Sequence, residues 1–118
     1  MLEIKMRREN DVAIVEMSGV IGAQACRQFE EAFDRLIETG CYKIIVDLSG
    51  VDYMTAVGAG IFMAIHNVAQ ANQGDVILVH PKRTIDEVFN LIGLKKMITV
   101  VPDKETALRK LAPRPAAR

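Results

Sequence analysis

The sequence predicts an α/β fold with a mixed, mostly parallel sheet and the element order β-β-α-β-α-β-α-β-α. Three observations carry that expectation. The N-terminal residues alternate apolar and polar side chains across a short polar break, the pattern of an antiparallel hairpin. Two later runs, "KIIVDL" and "DVILVH", are short, β-branched and continuously apolar, as strands covered on both faces are. Segments with apolar residues at helical spacing separate these runs, which is how parallel strands are usually connected.

In order along the chain, Leu2, Ile4 and Met6 alternate with Glu3, Lys5 and Arg7 and define a half-buried strand. "ENDV" supplies a turn, and "VAIVEM" follows as the second arm of the hairpin. Ala25, Phe29, Ala32, Phe33, Leu36 and Ile37 form one stripe of a helix, with Arg27, Glu30, Glu31, Asp34, Arg35 and Glu38 opposite, and Gly40 is its stop. After the strand "KIIVDL", "VDYMTAVGAGIF" reads as a small-residue loop leading into a helix from about Gly58 to Asn72. Ile61, Ala64, Ile65 and Val68 share a face of that helix. Beyond the strand "DVILVH", Pro81 breaks the chain, and Thr84 with Glu87 reads as a capping box for a third helix bearing Ile85, Val88, Phe89 and Ile92. "MITVV" is the last strand. Asp103 is the expected N-cap of a final helix carrying Ala107, Leu108 and Leu111. The expectation is one domain over residues 1–112 and a frayed tail over 113–118.

The chain has 118 residues, with 15 Lys plus Arg against 15 Asp plus Glu. A balanced charge argues against nucleic acid or an anionic membrane as the main partner. Two cysteines, Cys26 and Cys41, and two histidines, His66 and His80, are too few and too scattered for a disulfide scaffold or a metal centre. No run approaches the ~18 apolar residues of a membrane span. The expectation is a soluble, cytoplasmic protein without cofactor or metal.

The loop before the second helix is where α/β proteins often hold phosphate or a nucleophile. Here it carries almost no reactive group. Gly58 and Gly60 lack the third glycine of a dinucleotide fingerprint, since position 63 is Met63, and they read instead as permitting close helix-to-sheet packing. Ser18, Ser49 and Thr55 have no nearby histidine, His66 reads as a solvated helix residue, and no enzyme emerges. Phe62, Met63 and Leu91 fall outside the main helical stripes and either pack at the margin of a broad apolar face or form an exposed apolar patch.

"DLSGVDYMTAVGAG", together with "SGVIGAQACRQFEEAF" before it and "TIDEVFNLIGLKKMITVVPDKETAL" after it, resembles the STAS domain family of bacterial anti-sigma factor antagonists and sulphate-transporter tails. The likeness covers about residues 2–112. In that family the corresponding loop presents a serine whose phosphorylation ends binding to an anti-sigma factor that is also a Ser/Thr kinase. The resemblance places Met54 at the apolar position, Thr55 at the usual Asp, Ala56 at the phosphorylated serine, Val57 at the second hydroxyl, and Gly58 and Gly60 at the glycines, with Ala59 for Leu. Gly22 stands where the family often has an acidic residue.

The resemblance implies a regulatory protein–protein interaction module whose partner is an anti-sigma factor or related Ser/Thr kinase-like regulator. Ala56 has no hydroxyl, so the usual phosphate switch is absent there; Thr55 is the one shifted acceptor. The expected contact residues are Met54, Thr55, Ala56, Val57, Gly58, Ala59 and Phe62. Two other readings stand beside this one. One is a small-anion or nucleotide sensor assisted by His80 or Lys82. The other is a structural subunit of a larger signalling or transport assembly, self-association included.

Overall fold

A computed structural model describes residues 1–111. The domain boundary expected at residue 112 and the tail expected over 113–118 lie outside these residues. Five strands, β1 (Leu2–Glu9), β2 (Val12–Ile21), β3 (Lys43–Met54), β4 (Asp75–Val79) and β5 (Thr99–Val101), form one sheet in sequential order. β1 and β2 are antiparallel and every other neighbouring pair is parallel. The expected architecture is therefore present. Asn10 takes a positive φ of 58° in the two-residue hairpin connection, where a residue tolerant of the left-handed region is needed.

Four α-helices complete the domain: α1 (Ala25–Glu38), α2 (Ala56–Ala71), α3 (Arg83–Leu91) and α4 (Lys104–Leu111). Period-two alternation in the central strands divides the core in two. On one face Val15, Met17, Ile44, Val46 and Leu78 pack with residues of α1, α2 and α3. On the other, Ile14, Ile45, Ile77 and Val79 pack with Ala107 and Leu111 of α4. Phe29, Phe33 and Phe62 meet at the centre of the first core, the Phe29–Phe62 ring centroids being 4.8 Å apart. Each such buried ring contributes roughly 1.5–3 kcal/mol of transfer free energy. Cys26 and Cys41 are free thiols, both buried.

The helix starts differ in how well local sequence announces them. Asp103 caps α4 as expected, accepting the Thr106 N–H at 2.7 Å. The capping box expected at Thr84 does not form: α3 begins at Arg83 after Lys82, and Thr84 already lies inside the helix. α2 corrects the expected face. Its buried residues are Gly58, Ala59, Phe62, Ile65 and Ala69, while Ala64 and Val68 are exposed. Nearly every residue of this helix is apolar or small, so several stripes were possible, and the contacts at its first turn decide which one faces the sheet.

Candidate functional site

The expected loop before α2 is for the most part strand. β3 continues through Val51–Met54, paired with the end of β2: Gly50 opposite Ser18, Val51 opposite Gly19, Tyr53 opposite Val20 and Met54 opposite Ile21. β4 stops earlier, matching β3 only up to Asp47. The β2–β3 pair therefore projects beyond β4 and carries the junction with α2 at its tip. Two glycines make this possible. A Cβ on Gly50 would lie 2.7 Å from the Ser18 Cβ, and Gly19 adopts a φ of +100° where the pairing register shifts.

Thr55 alone connects strand to helix. Its N–H donates to the Ile21 carbonyl at 3.1 Å, its carbonyl accepts the Ala59 N–H at 3.1 Å, and its Oγ1 accepts the Gly58 N–H at 3.1 Å. The first ties the junction to the end of β2, and the other two close the first turn of α2. Gly58 packs tightly there, since a Cβ on it would sit 3.1 Å from Ile21 Cγ2 and 3.3 Å from Met54 Cγ. A Cβ on Gly60 would meet nothing, so the close-packing role expected of both glycines belongs to Gly58 alone.

The expected contact residues separate into two groups. Met54, Gly58, Ala59 and Phe62 are buried in this chain's own core and present no surface to a partner. Their burial follows from the strand pairing of Met54 and from the stripe that α2 turns to the sheet. Thr55 is half-buried, and Ala56 and Val57 are exposed, Val57 by 69%. Two neighbours were not expected at the site. Tyr53 is 55% exposed and stands opposite Val20, itself partly exposed, on the adjoining strand. The irregular pairing around Gly19 interrupts the simple in–out alternation, and that alternation was the one signal available for placing them.

The electrostatics are sparse. The first turn of α2 carries no acidic residue, so its free N–H groups keep their partial positive charge. Lys82, one of the two residues expected to assist an anion, forms an ion pair with Asp52 of β3. His80 follows β4 in an exposed position with a φ of 54°. His66 is not the solvated residue expected. Its side chain is largely buried, with Nε2 3.4 Å from Asp75 Oδ1. Of the candidate apolar surface residues, Phe62 is in the core, Met63 is half-buried against it and Leu91 is 88% exposed. Among the described residues no group of three His, Cys, Asp or Glu side chains is placed to hold a metal ion, and no helix is long and apolar enough to cross a membrane.

The carboxylates with clearly lowered pKa lie away from this junction. Glu9 is held down chiefly by a hydrogen bond from Lys104, Asp11 by one from Lys43, and Asp103 by the backbone N–H of Thr106. The junction itself is marked by its shape and its apolar exposure.

Comparison with known proteins gives a consistent result. The chain is 23% identical over 99 residues to the anti-sigma-B factor antagonist of Staphylococcus epidermidis, an alignment covering 84% of this chain and 92% of the relative. Its fold is similar to that of an anti-sigma factor antagonist from Mycobacterium paratuberculosis, with a TM-score of 0.87, 22% identity and coverage of 94% of each chain. It is also similar to the anti-sigma factor antagonist SpoIIAA in its unphosphorylated form, with a TM-score of 0.78, 19% identity and coverage of 94% and 100%. The model of the STAS domain matches residues 3–107. The chain belongs to the STAS domain family.

Proposed function

We propose that this chain is an anti-sigma factor antagonist-like regulator that binds its partner through the β3–α2 junction and is not switched by phosphate at Ala56. The observation that carries the reading is the exposed pair Ala56–Val57 at the open end of α2, flanked by Tyr53 and Val20 and free of catalytic groups. Small side chains on a rigid helix start let a partner's backbone approach closely, and the exposed valine and tyrosine supply the apolar and aromatic contact that interfaces favour.

The partner class is an anti-sigma factor or a related Ser/Thr kinase-like regulator. SpoIIAA has been solved in unphosphorylated and phosphorylated forms, so phosphate is accepted within this fold. Phosphorylation would bring about −1.5 to −2 charges to a nearly neutral contact surface. Ala56, at the position that the family resemblance assigns to the phosphorylated serine, has no hydroxyl, and Thr55 is a poor substitute because its hydroxyl already accepts the Gly58 N–H. Binding is thus constitutive with respect to this site.

Titration calorimetry with the anti-sigma kinase encoded by the same genome tests the reading. Saturable binding that Val57→Asp weakens at least tenfold is expected. Ala56→Ser should also create a site that the kinase labels with phosphate. No complex with any such kinase, together with turnover of a small-molecule substrate at this junction, would overturn the assignment.

A further inference from the structure

We propose that two copies of this chain pair edge to edge through β1, antiparallel, about a dyad at Ile4. β1 is the outermost strand on its side of the sheet, bonded to β2 alone, while the opposite edge strand, β5, has three residues. Two hydrogen bonds establish which way its backbone groups point. The Val20 N–H donates to the Met1 carbonyl at 3.4 Å, so Met1 and the odd-numbered residues in phase with it turn toward β2. The Leu2 carbonyl instead accepts Nε2 of Gln28 on α1, at 3.2 Å, outside the ladder. Ile4, Met6 and Arg8, in phase with Leu2, therefore direct their N–H and carbonyl groups outward. Such an edge is a template for another strand.

The charge pattern of β1 selects a second copy as that strand. With Ile4 opposite its own counterpart, Leu2 faces Met6 and Glu3 faces Lys5, each pair occurring twice. Ile4 then exchanges two backbone hydrogen bonds with its counterpart, Met6 donates to the Leu2 carbonyl in place of Gln28 and accepts the Leu2 N–H, and the Glu3–Lys5 pairs take the closer, non-bonded positions. Sliding the register by two residues puts Glu3 against Glu3 in one direction; in the other it puts Lys5 against Lys5 and sets Glu3 opposite Arg7, which its own chain already pairs with Glu9 and Glu16. Lys5 is exposed and has no ion pair among the described residues, whereas Arg7 is already met by Glu9 and Glu16 of its own chain. An edge lysine normally discourages pairing, and the glutamate two residues before it makes this one selective for itself.

Apolar surface lies where the second copy would cover it. Two clefts of about 570 and 500 Å³ run along the edge between β1 and α1, with Gln28 lining both. Leu2 and Ala25 line the first, and Ile4, Met6, Ala32 and Leu36 the second. In the Ile4 register, Met6 of one copy stands beside Leu2 of the other at the first cleft, and the reciprocal contact falls at the second. Because β2 separates β1 from β3, the dimer leaves Ala56 and Val57 open.

Sedimentation equilibrium of the full chain tests the pairing. A reversible dimer is expected, with Glu3→Lys weakening it about tenfold or more by opposing four like charges, and the double variant Glu3→Lys/Lys5→Glu restoring it. Both positions are exposed, and circular dichroism melts check that each variant folds. Ile4→Cys should form a disulfide-linked dimer on mild oxidation, since paired Cα atoms lie about 5.5 Å apart. Arg8→Cys, about 27 Å from its counterpart along the strands, should not. A mixture of Glu3→Cys and Lys5→Cys chains should couple where Ile4→Cys perturbs folding. A monomer at every concentration, a dimer indifferent to Glu3→Lys, or a dimer that none of these cysteines couples overturns the proposal.

Discussion

The hydroxyl of Thr55 accepts the amide N–H of Gly58 at 3.1 Å, so the aliphatic hydroxyl at the β3–α2 junction holds the helix rather than standing free at the surface. Replacing it tests that role. Thr55→Ala should lower stability by about 1 kcal/mol, the usual loss when a side-chain cap is removed, and Thr55→Ser or Thr55→Asp should keep most of it. Urea denaturation reads the difference directly. If the cap matters to docking, the same alanine variant should also weaken partner binding, because Ala56 and Val57 are placed by that first turn.

Gly58 and Gly60 sit two residues apart in one helix and should respond in opposite ways to a methyl group. At Gly60 a Cβ enters open space, so Gly60→Ala should raise stability by roughly 0.5–1 kcal/mol through helix propensity and a less flexible unfolded chain. At Gly58 the same Cβ crowds Ile21 and Met54, both deep in the core, so the propensity gain is offset by strain. The two melting temperatures compared side by side check this. A Gly58→Ala variant as stable as Gly60→Ala would show that the helix start is looser than its contacts suggest.

These two positions also show where sequence reading succeeded and where it stopped. Alternation in β1 and continuous apolar runs in β3 and β4 were legible because each reports a period, and the order of elements followed from them. The end of β3 was not legible. "KIIVDL" reads as the whole strand, yet Gly50 stays in the ladder because its missing Cβ is what lets β3 approach Ser18 so closely. That contact lies 32 residues away in the chain and leaves no local trace. Phe62 was misplaced for a related reason: an almost uniformly apolar helix has no single best stripe, so only tertiary contact at Gly58 turns its ring inward. Ala56 and Val57, expected in the loop before a helix from about Gly58, form the exposed first turn of that helix.

The division between buried and exposed members of the site gives a pair of variants with separable effects. Phe62→Ala removes a ring packed on Phe29 and Phe33 and should cost about 3–5 kcal/mol, with any loss of binding explained by unfolding. Val57→Asp changes a side chain that is mostly in solvent, so stability should move by no more than about 0.5 kcal/mol. A carboxylate at the first turn is even favourable to the helix. Loss of partner binding in a fully folded Val57→Asp protein would then locate contact at this surface. Tyr53→Ala, measured in the same way, asks whether the strand side of the junction takes part.

Stability should fall as the solution is acidified, and part of that loss originates at the fourth helix. Lys104 donates to Glu9 Oε2 at 3.1 Å, tying α4 to β1, and Asp103 accepts the Thr106 N–H at the start of the same helix. These bonds lower both carboxyl pKa values below their ordinary ones, 4.5 and 3.8. A group bound more weakly by protons in the folded state stabilises fully above its unfolded pKa and loses that contribution as pH falls through the lower folded value. The melting temperature of the wild type should accordingly be level near neutrality and begin to drop below about pH 5. Glu9→Gln removes one titrating group, so it should be less stable than wild type at pH 7, and the gap should close toward pH 3. Asp103→Asn keeps a capping side chain without the charge and should flatten the acid slope at smaller cost near neutrality. Both partners of the Glu9–Lys104 pair are substantially exposed, so added salt should shrink the neutral-pH gap as well. Equal slopes for wild type and both variants would place the acid sensitivity elsewhere in the fold.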